Sequence, residues 1–162
     1  MKRVYNIPQT EIAMVTYCNF SKEGIDLLEK INSIEKIQRI RLGSLEPTII
    51  NEEFIKRLTK LSKVCHHFHL SLQSGCDETL KRMNRRYTTE EFKNVVTLLK
   101  NAYSDVMLTT DIIVGFPGET EEEFDKTYNF LKEINFYKMH IFKYSRRKGT
   151  KADKMENQIP NN

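Results

Sequence analysis

The sequence contains little cysteine and no tryptophan: its 162 residues include three cysteines, six glycines and four prolines. Cys18, Cys65 and Cys76 lie 47 and 11 residues apart, which excludes a disulfide framework and indicates a reducing cytoplasm. No apolar run approaches the roughly 20 residues that span a membrane. The basic N-terminal segment also lacks the apolar stretch of a secretory signal. We therefore predict a cytoplasmic protein with no membrane association.

The residues that are present describe a globular chain of moderate polarity. Hydrophobic residues make up 39% and charged residues 30%, with a formal net charge of +4. A chain of this length buries about 70% of its unfolded surface as one domain. The charge permits a polyanionic partner without requiring one. We predict one domain over residues 1–151 and a polar tail over residues 152–162.

Two kinds of pattern alternate along the chain. Five segments read as strands: EIAMVTY (11–17), IQRIRLG (37–43), HFHLSL (67–72), VMLTTDIIVG (106–115) and YKMHIFKY (137–144). Each of the first four is followed by a segment of helical periodicity. Ser21 and Asn51 are predicted N-caps. Thr88 with Glu91, and Thr120 with Glu123, are predicted capping boxes.

This alternation predicts an α/β fold of parallel strands joined by right-handed crossovers. Two architectures satisfy it, namely an open doubly wound sheet or an arc of a (β/α) barrel. Both gather ligands at the carboxyl ends of the strands. The segments found there are GSLEP (43–47), QSGCDE (73–78), DIIVGFPGE (111–119) and YSRRKGT (144–150).

Familiar phosphate and metal motifs do not fit these segments. GFPGET lacks the lysine and spacing of a P-loop and is not the GxGxxG of a dinucleotide fold. In CHHFH, alternation places Cys65, His67 and His69 on one side of a strand and His66 on the other. Three ligands along one strand spread over roughly 13 Å, too far to close one tetrahedral site. We therefore predict no metal site.

Taken together, four motifs resemble the core of the radical-SAM methylthiotransferases that modify tRNA, most closely the branch acting on threonylcarbamoyladenosine. The motifs are RIRLGSLEP, FHLSLQSGCDETLKRMNRRYT, TTDIIVGFPGETEEEF and FKYSRRKGT, and the resemblance runs from about Ile25 to about Lys154. It implies a partial (β/α) barrel with about five parallel strands here, outer helices and S-adenosylmethionine across the carboxyl rim. The family also uses a [4Fe–4S] cluster held by a three-cysteine loop, and it adds a methylthio group to an adenosine in tRNA.

The resemblance implies roles for individual residues. Gln73 and Ser74 would contact the ribose or amino-acid part of S-adenosylmethionine, Arg85 its carboxylate and Asp111 its ribose hydroxyls. The remaining cofactor contacts would come from Ser44, Glu46, Gly115, Phe116, Pro117 and Gly118. The structural alternatives are that Gln73 and Asp111 satisfy backbone groups at strand ends, and that Arg85 belongs to a solvated helix end.

The basic segment after the last strand is the predicted contact for adenine or RNA. Tyr144, Arg146 and Arg147 would carry it, and residues 143–151 hold five positive charges. Such a density suits phosphate binding. A plain basic turn is the alternative.

One part of the family pattern is missing. No C-x3-C-x2-C loop occurs, so we expect no cluster in this chain and no catalysis by it alone. EIAMVTY matches the family's second strand, which leaves a bare sheet edge and predicts self-association. Alternatives to a methylthiotransferase fragment are a non-catalytic binding or assembly module and an unrelated (β/α) enzyme.

Overall fold

The computed structural model describes residues 12–16 and 22–160. The predicted N-cap Ser21 and the first cysteine, Cys18, lie outside the described residues. The elements, in chain order, are β1 (Ile12–Thr16), α1 (Lys22–Asn32), β2 (Arg39–Leu45), α2 (Glu52–Leu58), β3 (Val64–Gln73), α3 (Asp77–Arg82), α4 (Thr89–Ala102), β4 (Met107–Val114), α5 (Glu121–Ile134) and β5 (Lys138–Lys143).

The five strands form one parallel sheet in the sequential order β1-β2-β3-β4-β5. A doubly wound sheet reverses its strand order at a switch point and carries helices on both faces. In this sheet the strand order never reverses. Its buried strand side chains join a single core with the helices, so the helices cover one face. The prediction of a partial (β/α) barrel with about five strands is confirmed, and the doubly wound alternative is excluded.

The core lies between the sheet and the helices. Strand side chains of alternating positions, such as Leu42, Phe68 and Ile112, are at most 1% exposed and pack against the helices. The intervening strand residues face the other way and stay partly exposed. We call this second surface the open face of the sheet; its members used below are Arg41, His67, His69, Gln73, Asp111 and His140.

The local start signals place the helices as expected. The Asn51 side chain accepts a hydrogen bond from the Phe54 N–H at 2.9 Å. Both predicted capping boxes are present, at Thr88 for α4 and at Thr120 for α5. None of the described helices is both long and apolar enough to cross a membrane.

Strand β3 is longer than predicted. It begins at Val64 rather than His67 because Val64 pairs with Ile40 of β2 and is itself buried. Cys65 and His66, which precede the predicted start, therefore also belong to the strand. Pairing to β2 alone decides this boundary, since the first β3 residue that pairs with β4 is His67.

Candidate functional site

A cavity of about 580 Å³ opens at the carboxyl ends of β3, β4 and β5. This volume lies within the range of small-molecule sites in proteins. Its lining includes Gln73 and Asp111, two predicted cofactor contacts, and Tyr144 and Arg147, two predicted substrate contacts. The structure therefore brings four of the predicted site residues to one cavity, while their roles stay predictions.

Backbone strain marks two of the strand ends. Gln73 has φ 70° and Ser44 has φ 53°, in the left-handed region that non-glycine residues seldom adopt. The left-handed conformation costs an L-residue about 1–2 kcal/mol. Such strain persists where the surrounding structure holds it, often at binding sites. Gln73 lines the cavity, whereas Ser44 is exposed and is not among the lining residues.

The turn over residues 115–118 stands beside the cavity. Gly115 and Gly118 have φ 73° and 77°, so the turn requires a left-handed backbone at both ends. Phe116 is buried and meets the Tyr144 ring edge-on, with 5.3 Å between centroids. Pro117 is also buried. Through Phe116 the turn therefore contacts Tyr144, an aromatic residue that lines the cavity.

This turn is stabilised by two carboxylates and one arginine: Glu119, Glu123 and Arg82. Glu119 accepts a hydrogen bond from the Gly115 N–H, and burial raises the pKa of Glu119. Glu123 pairs with Arg82 of α3, and the hydrogen bond from Arg82 lowers the pKa of Glu123 against the opposing effect of burial. The Arg82 side chain also lies under Gly118, 3.5 Å from where a Cβ there would stand.

Arg85 and Glu46 form a second group on the rim. The Arg85 guanidinium lies 3.3 Å from the Glu46 carboxylate, and neither residue lines the cavity. The pair is partly exposed on both sides. A ligand carboxylate would have to compete with Glu46 for Arg85, and the predicted contact of each residue with the cofactor stays a prediction.

Ser74 lies away from the cavity, in the interior. It is 0% exposed, and its hydroxyl lies 3.1 Å from that of Thr127 on α5. It also accepts a hydrogen bond from the Cys76 N–H. In this structure Ser74 fixes the loop after β3 to the helix layer, and its predicted cofactor contact is untested.

The basic segment folds back on itself. Arg146 donates to Asp153 through Nε at 2.6 Å, and the Gly149 N–H donates to the same carboxylate. These bonds, the backbone one first, lower the pKa of Asp153. Asn157 in the predicted polar tail accepts a hydrogen bond from the Gly118 N–H at 2.9 Å. The tail that follows this segment is therefore joined to the turn that borders the cavity.

Sequence reasoning missed a cluster on the open face. His69, Asp111 and His140, from β3, β4 and β5, bring their ligand atoms within 4.8 Å of one another. The signal lay in the strand register, which pairs His69 with Thr109 and Asp111 with His140. The pattern of any single strand does not show this cluster, because its three residues come from three strands.

Fold and site together define a class of protein: an arc of a (β/α) barrel with a ligand-sized cavity at the carboxyl ends of its strands. The comparisons with known proteins are more specific. Residues 5–131 match the sequence profile of the Radical SAM superfamily, and the chain belongs to that superfamily.

Curated relatives agree with the predicted resemblance. The chain is 48% identical over 134 residues to a tRNA-2-methylthio-N(6)-dimethylallyladenosine synthase of Caldicellulosiruptor saccharolyticus, covering 83% of this chain and 28% of the relative. It is 46% identical over 145 residues to the threonylcarbamoyladenosine tRNA methylthiotransferase MtaB of Bacillus subtilis, covering 89% and 31%. The resemblance to tRNA methylthiotransferases is confirmed, and the chain spans about three tenths of the length of these relatives.

A solved structure supports the fold. Coproporphyrinogen III oxidase from Escherichia coli, a radical SAM enzyme, superposes with a TM-score of 0.68 over 85% of this chain and 32% of its own. The two chains share 18% sequence identity, so the similarity concerns the fold alone.

The family uses S-adenosylmethionine and a [4Fe–4S] cluster. The cavity is of ligand size, and within its largely apolar lining Gln73 and Asp111 supply polar groups that suit S-adenosylmethionine. The described cysteines do not fit the second: the eight steps from Cys65 to Gln73 in β3 span about 26 Å, and Cys76 lies beyond. Cys76 also donates its thiol hydrogen to Glu78, and burial raises the thiol pKa. Two such distant cysteines cannot share one cluster.

Proposed function

We propose that this chain forms the S-adenosylmethionine-binding rim of a radical-SAM tRNA methylthiotransferase. One observation carries the proposal: Gln73 and Asp111, distant in sequence, line the same cavity at the carboxyl ends of the strands. The relatives that match the chain are named for methylthio transfer to tRNA. The cofactor would supply the radical chemistry of such an enzyme, with the cluster held by residues other than the described cysteines.

The chain's own residues would bind and orient the nucleoside. The Asp111 carboxylate accepts hydrogen bonds and suits ribose hydroxyls, while the Gln73 amide both donates and accepts. Tyr144, braced by Phe116, offers a ring beside the same space. The partly buried wall would exclude water from one side of the bound group.

We further propose that RNA approaches along the basic segment after β5. Arg147 lines the cavity, while Arg146 is engaged by Asp153 yet remains 61% exposed. Arg147 is thus the better placed of the two to contact a nucleotide in the cavity, and Arg146 to meet a phosphate outside it. Identities of 48% and 46% do not separate the dimethylallyl from the threonylcarbamoyl branch. The threonylcarbamoyl substrate remains our proposal from the sequence motifs.

Calorimetric titration with S-adenosylmethionine tests the site. We expect saturable binding to the wild-type chain that weakens at least about tenfold in Asp111→Asn, because a charged hydrogen-bond acceptor is worth about 1.5–3 kcal/mol. Asp105→Asn is the matched control, since Asp105 is exposed and pairs with His66 away from the cavity. No heat at millimolar ligand, or equal loss in both variants, would contradict the proposal.

The alternative function is a non-catalytic binding or assembly module, and β5 offers it a sheet edge opposite the β1 edge at which self-association was predicted. β5 is an edge strand whose six residues are all exposed, including Met139 and Ile141 on the helix side. We propose self-association through this edge, reversed by Ile141→Lys and left intact by Tyr128→Lys on α5. Light scattering that shows a stable monomer at tens of micromolar would refute it.

A further inference from the structure

Asp111 stands between two imidazoles on the open face of the sheet. Its Oδ2 lies 3.3 Å from His69 Nε2, and its Oδ1 lies 3.1 Å from His140 Nδ1. The two rings are stacked at 29°, with 6.2 Å between centroids. Three potential ligands from three neighbouring strands therefore converge on a single point.

We propose that His69, Asp111 and His140 form a binding site for a divalent transition-metal ion. Zn²⁺ is the ion used to test it. Two imidazoles and one carboxylate form a donor set that zinc and iron(II) both accept. In a tetrahedral site with bonds of about 2.0–2.1 Å, ligand atoms stand about 3.3 Å apart. Two ligand pairs, at 3.1 and 3.3 Å and each through a different oxygen of Asp111, lie near that spacing, and the ligand atoms of all three residues lie within 4.8 Å of one another.

A fourth residue orients one of the ligands. Thr109 is 5% exposed, and its hydroxyl lies 3.0 Å from His69 Nδ1. In the tautomer whose Nδ1–H donates to this oxygen, the Nε2 lone pair faces Asp111. Metal-bound histidines usually carry such an outer partner on their second nitrogen.

The site is open on one side. The His69 side chain is 18% exposed and that of His140 is 47% exposed, so three protein ligands leave a coordination position free. This arrangement is typical of zinc sites that bind a further ligand rather than of closed structural sites. Asp111 also lines the cavity, so the free position is adjacent to it.

An arginine on the open face contacts a different histidine. Arg41 lies on the same open face, with its NH2 group 3.4 Å from His67 Nε2. Burial first, and then this arginine, lowers the pKa of His67. The guanidinium is thus directed at His67, one of the open-face histidines, and not at the three proposed ligands.

The ion-pair interpretation of the same geometry makes a different prediction. If both imidazoles were simply protonated partners of Asp111, the protein would show no stoichiometric metal binding there. Ligation instead requires neutral imidazole and an ionised carboxylate. Titration of the metal-free protein with Zn²⁺ by calorimetry, and with Co²⁺ by visible absorption, separates the two.

We expect one equivalent of Zn²⁺ to bind and Co²⁺ to give the intense absorption of a four-coordinate site. His140→Gln should weaken binding at least about tenfold, and Thr109→Val by about 10–100-fold. His140 is on an exposed strand, so its variant keeps the core intact. Circular dichroism checks folding of each variant.

Two controls decide whether the binding is specific. His66→Gln removes an exposed histidine that pairs with Asp105 elsewhere, and Gln73→Ala alters the cavity but not the three ligands. Both should bind Zn²⁺ as the wild type does. Equal affinity in His140→Gln, or no binding by the wild type, would overturn the proposal. Neither result would bear on S-adenosylmethionine binding, which is measured separately and without metal.

Discussion

The ion pair beneath the 115–118 turn should be a main support of this part of the fold. The Glu123 carboxylate accepts from the Arg82 guanidinium, from the Thr79 hydroxyl at 3.3 Å and from the Thr120 N–H at 3.2 Å. Its side chain is 11% exposed and that of Arg82 is 31% exposed. Glu123→Ala would remove the acceptor of all of these bonds at once and leave the guanidinium without its carboxylate, with the Thr79 hydroxyl as a remaining partner.

The expected cost follows from that burial. Removing one partner of a fully buried pair costs about 3–5 kcal/mol, and the exposure of Arg82 lets water recover part of it, so we expect about 2–3 kcal/mol. Urea unfolding followed by circular dichroism at pH 7 measures the difference. Glu122→Ala, one residue earlier in the same helix turn and 82% exposed, should stay within about 0.5 kcal/mol of wild type.

The pH dependence of the same variant gives a sharper test. Arg82 lowers the pKa of Glu123 below its usual value of 4.5 in the folded state. The ionised carboxylate is therefore stabilised by folding, and its contribution is complete above that usual value and lost as the pH falls through the lowered one. The gap between wild type and Glu123→Ala should shrink in acid. A gap that persists there, or that equals the Glu122→Ala effect at pH 7, would refute the reasoning.

Three further predictions concern strain and buried hydroxyls. Gln73→Gly should leave the free energy of unfolding unchanged or raise it by up to about 1 kcal/mol, because glycine relieves the left-handed φ; calorimetry should nevertheless show weaker S-adenosylmethionine binding. The Tyr87 hydroxyl donates to the carbonyls of Ser71 and Leu72, so Tyr87→Phe should cost about 1–2 kcal/mol in urea unfolding. The Tyr103 hydroxyl is buried without a partner among the described residues, and burial raises the Tyr103 pKa to about 12. Tyr103→Phe should therefore be neutral or stabilising, and a loss matching that of Tyr87→Phe would contradict the assignment.

The elements could be predicted because their signals are local. Asn51, Thr88 and Thr120 start helices through bonds made within one turn, and the sequence shows each of them. The boundary of β3 could not be predicted in this way, since Val64 becomes part of a strand only by pairing with Ile40. Local patterns also left open whether helices cover one face of the sheet or both.

The same distinction between local signals and long-range packing applies to the candidate site. Gln73 and Asp111 could be predicted to share a rim because carboxyl ends of parallel strands converge. The side on which a loop residue lies could not be predicted, and Ser74 illustrates this: only the packing of α5 against the β3 loop places its hydroxyl against Thr127. His140 was likewise hidden, because its meeting with Asp111 depends on the register between β4 and β5.

Both proposed ligands, the metal ion and S-adenosylmethionine, would contact Asp111. The binding of one should therefore change the affinity for the other. Each carboxylate oxygen of Asp111 already faces one imidazole, so a ribose hydroxyl would use the remaining lone pairs of the same carboxylate. A metal ion that withdraws charge from those oxygens weakens them as acceptors. Coupling between two equilibrium binding events is reciprocal, so the nucleoside would weaken the metal by the same factor. Asp111 variants alone cannot separate the two sites, whereas Gln73 belongs only to the cavity and His140 only to the cluster.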